Sequence, residues 1–121
     1  MTDIWPTELR VSKDRRMLTV TFNDSAAHAL PAELLRVHSP SAEVKGHSPA
    51  QRQLVTGKRN VEIMKLEPVG NYAVRITFDD MHDTGLFSWA YLAKLGREKE
   101  ALWAAYLEEL DAAGKSRDPA R

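Results

Sequence analysis

The stretch VEIMKLEPVGNYAVRITFDD, residues 61–80, decides the fold because apolar and polar residues alternate in it around a turn. In its second half, alternate residues share one face: Tyr72, Val74, Ile76 and Phe78. Alternation with a period of two is typical of a half-buried β-strand. Gly70 and Asn71 tolerate the positive φ angles of a tight turn, so the stretch predicts a β-hairpin with a two-residue turn.

Similar alternation on both sides of this hairpin predicts further strands. Upstream, TELRVS (residues 7–12) and MLTVTFND (residues 17–24) form a second hairpin, and SAAHALP (residues 25–31) adds a short third strand. Downstream, TGLFSW (residues 84–89) completes a three-stranded antiparallel meander with the hairpin of residues 61–80.

Helices are predicted at three places, one between the strands and two after them. PAELLRV (residues 31–37) is a short helix with Pro31 in its first turn, and Ser39-Pro40 ends it. Ser88 caps a helix that starts at Trp89, and Gly96 provides its left-handed stop.

The last predicted helix runs over residues 97–113 and ends at Gly114. Its apolar residues lie on one face: Leu102, Trp103, Tyr106, Leu107 and Leu110. The fold class is therefore α+β, with an antiparallel β-sheet of hairpins and meander and the C-terminal helices packed on one face. We expect a single domain over residues 1–113 and a disordered tail over residues 114–121, which has nothing to bury.

The composition is that of a soluble globular protein. The chain has 121 residues, of which 43% are hydrophobic and 28% charged. It has no apolar run of the ~20 residues that span a bilayer, and its N-terminus shows no apolar core of a secretory signal, so we expect a cytoplasmic protein. With no cysteine, it has no disulfide, thiolate nucleophile or sulfur ligand for a metal.

The polar stretch from His38 to Asn60 is the candidate binding surface, because loops longer than roughly 12–15 residues are often functional. Residues 44–60 carry four basic side chains and no acid, whereas residues 79–111 carry eight acids and three bases. The predicted partner-binding surface combines the turn DDMHD (residues 79–83) with the following basic residues: Arg36, Lys45, Arg52, Lys58 and Arg59. Without interleaved aromatics this pattern argues against nucleic acid, and a merely solvated loop remains the alternative.

Catalytic and metal-binding motifs are weak in this chain. It has no G-x-S-x-G context for a nucleophilic serine, and TGKRN (residues 56–60) lacks the glycine and hydroxyl positions of a phosphate loop. The acids of residues 79–83 suit a hard cation or simply a solvated turn. Three histidines are the candidate ligands for a transition metal, although their spacing matches no metal motif: His38, His47 and His82.

Three segments together resemble the gamma-butyrobetaine hydroxylase-like N-terminal domain over residues 9–96. They are LRVHSPSAEVKGH, VTGKRNVEIMKLEPVGNYAVRITFDDMHDTGLFSW and YLAKLG. The resemblance implies a stand-alone bacterial member of a family whose domain also precedes 2-oxoglutarate-dependent oxygenases of carnitine biosynthesis. In other members it is attached to Mrp-like P-loop ATPases that carry iron-sulfur clusters.

The same resemblance implies that a family zinc site is lost. In the oxygenases the ligands lie in a Cys-Pro-Cys-x-x-Cys motif with a later histidine, and here Ser39, Ser41 and Val44 stand at the cysteine positions and His82 at the histidine position. Serine is a poor zinc ligand and valine has no donor, so no cofactor is expected. The iron site of the oxygenases lies in a separate catalytic domain.

These observations predict a non-catalytic accessory module that docks to a protein partner, such as an oxygenase or an iron-sulfur carrier. We expect no enzymatic activity, no membrane association, and a monomer or weak dimer. The alternative is a small metal-binding or iron-sulfur delivery protein that uses His38, His47 and His82.

Overall fold

The structure is a computed structural model that describes residues 4–40, 53–83 and 85–119. Within these ranges the chain forms six strands and three helices. The strands are β1 (Pro6–Val11), β2 (Met17–Phe22), β3 (Ala27–Pro31), β4 (Ile63–Val69), β5 (Ala73–Phe78) and β6 (Leu86–Ser88). The helices are α1 (Ala32–Val37), α2 (Trp89–Arg97) and α3 (Lys99–Ala113).

The strands form two antiparallel three-stranded sheets, in the orders β1-β2-β3 and β4-β5-β6. The predicted hairpins are confirmed, although the strands belong to two sheets rather than one. The backbone joins the sheets at the β1–β2 turn, where the carbonyl of Arg15 accepts a hydrogen bond of 2.7 Å from the N–H of Ile63. The guanidinium of Arg15 donates to the carbonyl of Ile63 at 3.3 Å, so this turn fixes the edge strand β4.

One main core receives side chains from both sheets, from α1 and from α2, which confirms the α+β class. Its fully buried large residues include Leu18, Phe22, Leu30, Leu34, Leu35, Ile63, Ile76, Phe78, Phe87, Leu92 and Leu95. Because the two sheets share this core, the faces that they turn away from it are the surfaces left for binding.

A smaller core of Val37, Tyr106 and Leu110 anchors α3, and Leu107 of the predicted apolar face is instead 41% exposed. The hydroxyl of Tyr106 donates to the carbonyl of Val55 at 2.8 Å. Burial raises the pKa of Tyr106 to about 12. Tyr106 therefore stays neutral and ties α3 to the segment that precedes β4.

The turn of the second hairpin differs from the prediction. Val69 pairs with Ala73, which leaves three loop residues rather than two. Of these, Gly70 alone has a positive φ, of 58°. The extra residue places Tyr72 outside the strand and 55% exposed, while Val74 and the buried residues that follow it keep the predicted inward face.

Gly96 does not end a helix, and that prediction was wrong. It lies inside α2, which continues to Arg97. A Cβ on Gly96 would lie 2.3 Å from the ring of His28 on β3, so the glycine allows the helix to approach the sheet closely. Gly114 does have the predicted left-handed conformation, with a φ of 65° at the end of α3.

The segment after α3 also differs from its predicted disorder. The carbonyls of Ser116 and Arg117 accept hydrogen bonds from the N–H groups of Gly57 and Arg59, at 3.0 and 2.9 Å. Arg117 also forms an ion pair with Glu33 on α1. Pattern reasoning missed this contact because the anchor is a charged side chain rather than an apolar one.

Candidate functional site

An exposed groove between the N-terminus of β1 and the start of α2 is the candidate site. Its volume is about 760 Å³, and the rings of Trp5, Tyr72 and Trp89 line it together with small, aliphatic or uncharged polar residues. We call it the aromatic groove. Trp5 is 50% exposed and Tyr72 is 55% exposed, although large aromatic residues are usually buried to a higher degree.

The Trp5 wall of the groove is fixed by an asparagine in the β2–β3 turn. The N–H of Trp5 donates to the side-chain oxygen of Asn23 at 3.1 Å, and the carbonyl of Trp5 accepts from the N–H of Asn23 at 2.9 Å. This reciprocal pair holds the backbone of Trp5 beside the sheet. The ring of Trp5 therefore extends from a backbone that hydrogen bonds hold in place.

The opposite wall is fixed where β6 runs into α2. The N–H of Trp89 donates to the carbonyl of Tyr72 at 3.0 Å, and its indole Nε1–H donates to the carbonyl of Asn71 at 2.8 Å. Ser88 caps the helix as predicted, since its hydroxyl accepts from the N–H of Tyr91 at 3.1 Å. These bonds lock the Trp89 ring, so the groove is formed before any ligand arrives.

The sequence patterns did not predict this groove. Alternation placed Tyr72 on the same strand face as Val74 and Phe78, and no motif singled out Trp5. One sequence signal was available, because the Trp5-Pro6 pair belongs to no alternating apolar pattern. A tryptophan outside the periodic core positions is a candidate surface aromatic.

Two cations of the predicted basic surface share one carboxylate. Asp80 accepts from Arg36 Nε at 2.8 Å and from Lys58 Nζ at 2.5 Å, and all three side chains are at most 24% exposed. Burial by itself raises the pKa of Asp80, but the hydrogen bonds from Lys58 and Arg36 outweigh it and lower the pKa to about 2. We call these three residues the Asp80 cluster.

Among the other predicted basic residues, Arg59 does not join this cluster. Arg59 pairs with Asp118 at the surface, and Lys45 and Arg52 lie outside the described residues. The structure thus brings Arg36 and Lys58 together. It pairs Arg59, which precedes β4, with Asp118 of the segment after α3. Both cations of the cluster hold the β5–β6 turn in place, which leaves them less available to a partner.

A buried serine–histidine pair lies beside the Asp80 cluster. Ser39 Oγ and His82 Nε2 are 2.8 Å apart, with Ser39 0% and His82 7% exposed. A Cβ on Gly85 would come within 2.3 Å of Ser39 Oγ, so the backbone packs directly on the pair. The interpretation of residues 79–83 as a solvated turn was therefore wrong for His82, whereas Asp79 and Asp83 are exposed.

Comparison with known proteins identifies the family. Residues 9–93 match the family described as "Gamma-butyrobetaine hydroxylase-like, N-terminal". The chain belongs to this family. No curated protein matches it.

Solved structures of similar proteins support the fold. Two proteins solved by NMR in solution are 49% and 46% identical to this chain, each with a TM-score of 0.83. The alignments cover 97% and 100% of this chain and 92% and 93% of the relatives. A crystal structure from Acidithiobacillus ferrooxidans, of a DUF971 protein with unknown function, is 38% identical with a TM-score of 0.63 and covers 75% of this chain and 91% of that one.

The described residues do not fit the zinc site that the gamma-butyrobetaine hydroxylase-like N-terminal family suggests. At the position of one family ligand, Ser39 presents a hydroxyl, and this hydroxyl is bonded to the Nε2 of His82. No group of three or more histidine, aspartate or glutamate side chains in the described ranges is arranged to hold a metal. The candidate ligand His47 and the positions of Ser41 and Val44 lie outside those ranges, as does any contact between them and His38.

The pair of Ser39 and His82 therefore connects α1 to the β5–β6 turn through a hydrogen bond. Ser39→Ala removes one partner and is expected to lower the free energy of unfolding by about 1–2 kcal/mol. Because the described positions of the family zinc site hold a serine–histidine hydrogen bond, dialysis against a chelator is expected to shift Tm by less than about 1 °C. Thermal unfolding before and after EDTA treatment measures this, and a large fall in Tm would show that a metal holds the loop.

No helix in residues 4–40, 53–83 and 85–119 combines the length and apolar character that crossing a bilayer requires.

Proposed function

We propose that this chain is a non-catalytic docking module whose aromatic groove binds an extended, uncharged segment of a protein partner. The observation that carries the proposal is the groove itself, in which two exposed rings and one locked ring line a preformed cleft. Tryptophan and tyrosine are enriched among the residues that dominate binding energy in interfaces. Their preorganisation lowers the entropy lost on binding.

The chemistry of the groove favours an apolar or proline-containing segment. No residue that lines it is charged, so a charged ligand would lose hydration without gaining an ion pair. Aromatic-lined grooves suit polyproline II segments because proline rings stack on flat indole and phenol faces, and the extended conformation is already formed.

The family description supports an accessory role. The words "Gamma-butyrobetaine hydroxylase-like, N-terminal" name the N-terminal part of a protein, which agrees with a module that accompanies other domains. A cytoplasmic oxygenase or iron-sulfur carrier is therefore the partner class that we propose for this chain, bound by a monomer or weak dimer. In this proposal the chain contributes binding and the partner contributes the chemistry.

The first experiment places a photo-crosslinking amino acid in the groove of the full chain in cells. It replaces Tyr72, and the matched control replaces Met64, which is also 55% exposed. We expect a discrete crosslinked partner from position 72 that disappears in a Trp5→Ala background, and no such partner from position 64. The captured protein is then purified and the complex reconstituted from the two components.

The outcomes separate the groove from the basic surface. Crosslinks from position 72 that survive Trp5→Ala, or a partner that does not bind in the purified system, would contradict docking at the groove. A crosslinker placed on the exposed Asp83, beside the Asp80 cluster, tests the surface predicted from sequence. A partner captured from position 83 and not from position 72 would show that docking occurs at the surface beside the Asp80 cluster and not at the groove.

A further inference from the structure

The segment after α3 folds back over the body of the protein and contacts it like a bound peptide. Gly114 and Lys115 donate to the carbonyls of Asp111 and Leu110, at 3.1 and 2.9 Å, which is the hydrogen-bond pattern of a Schellman motif. This motif reverses the chain at the end of the helix. Residues 115–119, which we call the strap, then cross towards α1 and the segment before β4.

The side chain of Arg117 anchors the strap. Its Nε and Nη2 donate to the two carboxylate oxygens of Glu33 at 2.9 and 2.7 Å. The side chain of Glu33 is only 6% exposed, whereas that of Arg117 is 27% exposed. The guanidinium also lies 4.8 Å from the ring centroid of Trp103. The planar guanidinium of an arginine can donate two parallel hydrogen bonds to a carboxylate and stack on an aromatic ring at the same time, whereas the ammonium of a lysine cannot.

The backbone of the strap is bound as well. The N–H groups of Gly57 and Arg59 donate to the carbonyls of Ser116 and Arg117. Asp118 then pairs with the side chain of Arg59. Main-chain hydrogen bonds to two consecutive carbonyls, combined with one anchored side chain, resemble the contacts by which many domains bind peptides in trans.

The buried carboxylate makes this site dependent on an arginine. If the strap left, Glu33 would remain in the protein interior without its counter-ion, and an unpaired buried charge is strongly destabilising. Simple opening of the strap is therefore unfavourable. Replacement of Arg117 by an arginine of another segment keeps the pair intact, so exchange is the accessible route.

We propose that Glu33, Trp103 and the N–H groups of Gly57 and Arg59 form a binding site for an arginine-bearing peptide. The strap occupies this site in cis, and a partner segment with arginine followed by an acidic residue displaces it in trans. The acidic residue takes the place of Asp118 opposite Arg59. The site shares no residue with the aromatic groove, so this proposal does not depend on the docking function proposed above.

The test uses the full chain with Arg117→Lys and the synthetic peptide Lys-Ser-Arg-Asp-Pro, which has the sequence of the strap. The lysine keeps a positive charge beside Glu33, so folding is retained, but it cannot form the two parallel hydrogen bonds. Calorimetric titration is expected to show at least about 10-fold tighter binding to this variant than to the unmodified chain, whose strap competes. A peptide with lysine in place of its arginine is expected to bind at least about 10-fold more weakly.

Two further measurements make the result decisive. Glu33→Gln combined with Arg117→Lys should abolish binding, and equal binding by this double variant, or no binding by Arg117→Lys, would overturn the proposal. The unmodified chain at high peptide concentration provides a test that does not depend on any variant. There the amide resonances of Ser116, Arg117 and Asp118 should move towards the positions of an unstructured chain as the peptide displaces the strap, and unchanged resonances of these three residues would refute the site.

Discussion

Arg117→Ala is expected to lower the free energy of unfolding by about 2–3 kcal/mol, an effect unusual for a residue outside the helices and strands. The physical reason is Glu33, whose side chain is 6% exposed and whose carboxylate loses a bidentate partner. Breaking a fully buried pair costs more, but the side chain of Arg117 retains partial exposure, which reduces the loss. Urea unfolding with an unchanged m-value measures the effect.

Two variants decide whether the stranded carboxylate causes this loss. Arg59→Ala removes the other ion pair of the strap, whose partners are 44% and 64% exposed, and is expected to cost less than about 1 kcal/mol. Adding Glu33→Gln to Arg117→Ala removes the uncompensated charge and should restore part of the lost stability. If the two single arginine variants lost equal stability, the strap would be held by its backbone and not by the buried pair.

Asp80→Ala is expected to lower the free energy of unfolding by a similar amount, about 2–3 kcal/mol. It leaves Arg36 and Lys58, with side chains 13% and 24% exposed, next to each other without a counter-ion. It also removes the acceptor of the hydrogen bond from the N–H of His82, which lies 3.2 Å from Asp80 Oδ1. Like-charge repulsion and the loss of this bond act together on the β5–β6 turn. Chemical denaturation again provides the measurement.

The control for Asp80 lies in the same turn. Asp83 is exposed, so Asp83→Ala is expected to change stability by no more than about 0.5 kcal/mol. A comparable loss from both substitutions would mean that the net charge of the turn matters and the Asp80 cluster does not.

The Asp80 cluster also predicts a pH dependence. The pKa of Asp80 is about 2 in the folded protein and 3.8 in the absence of the fold, so the folded state binds the proton more weakly. The contribution of Asp80 to stability is therefore fully present above about pH 5 and is lost as the pH falls towards 2. Unfolding free energies measured between these limits should decline in the unmodified chain, and Asp80→Asn should flatten the decline. An equally steep decline in Asp80→Asn would assign it to other carboxylates.

Local patterns predicted the fold where the core is built from alternating apolar residues. Val74, Ile76 and Phe78 occupy the predicted inner face because a strand places every second side chain on the same side. Gly114 ends α3 as predicted because its positive φ is a local property. The prediction that Gly96 ends a helix was wrong because the role of Gly96 is not local. This glycine makes room for the ring of His28, which lies far away in the sequence.

The candidate site depended on contacts between distant residues and was harder to predict. Charge pattern alone singled out Arg36, Lys58 and Arg59, yet it contained no information on the two carboxylates that the fold places beside them. The aromatic groove was missed because Trp5 and Trp89 meet only after both sheets have formed. The family was predicted from three sequence segments, and the match over residues 9–93 confirms it.

The affinity of the reconstituted complex with its partner tests the docking function most directly. The double variant Trp5→Ala/Tyr72→Ala removes the two exposed rings of the groove and is expected to raise Kd by at least about 10-fold. The matched variant Met64→Ala/Met81→Ala removes two other exposed apolar side chains, 55% and 79% exposed, and should change Kd by less than about 2-fold. Equal effects of the two double variants, or an unchanged Kd in both, would contradict a docking function of the aromatic groove.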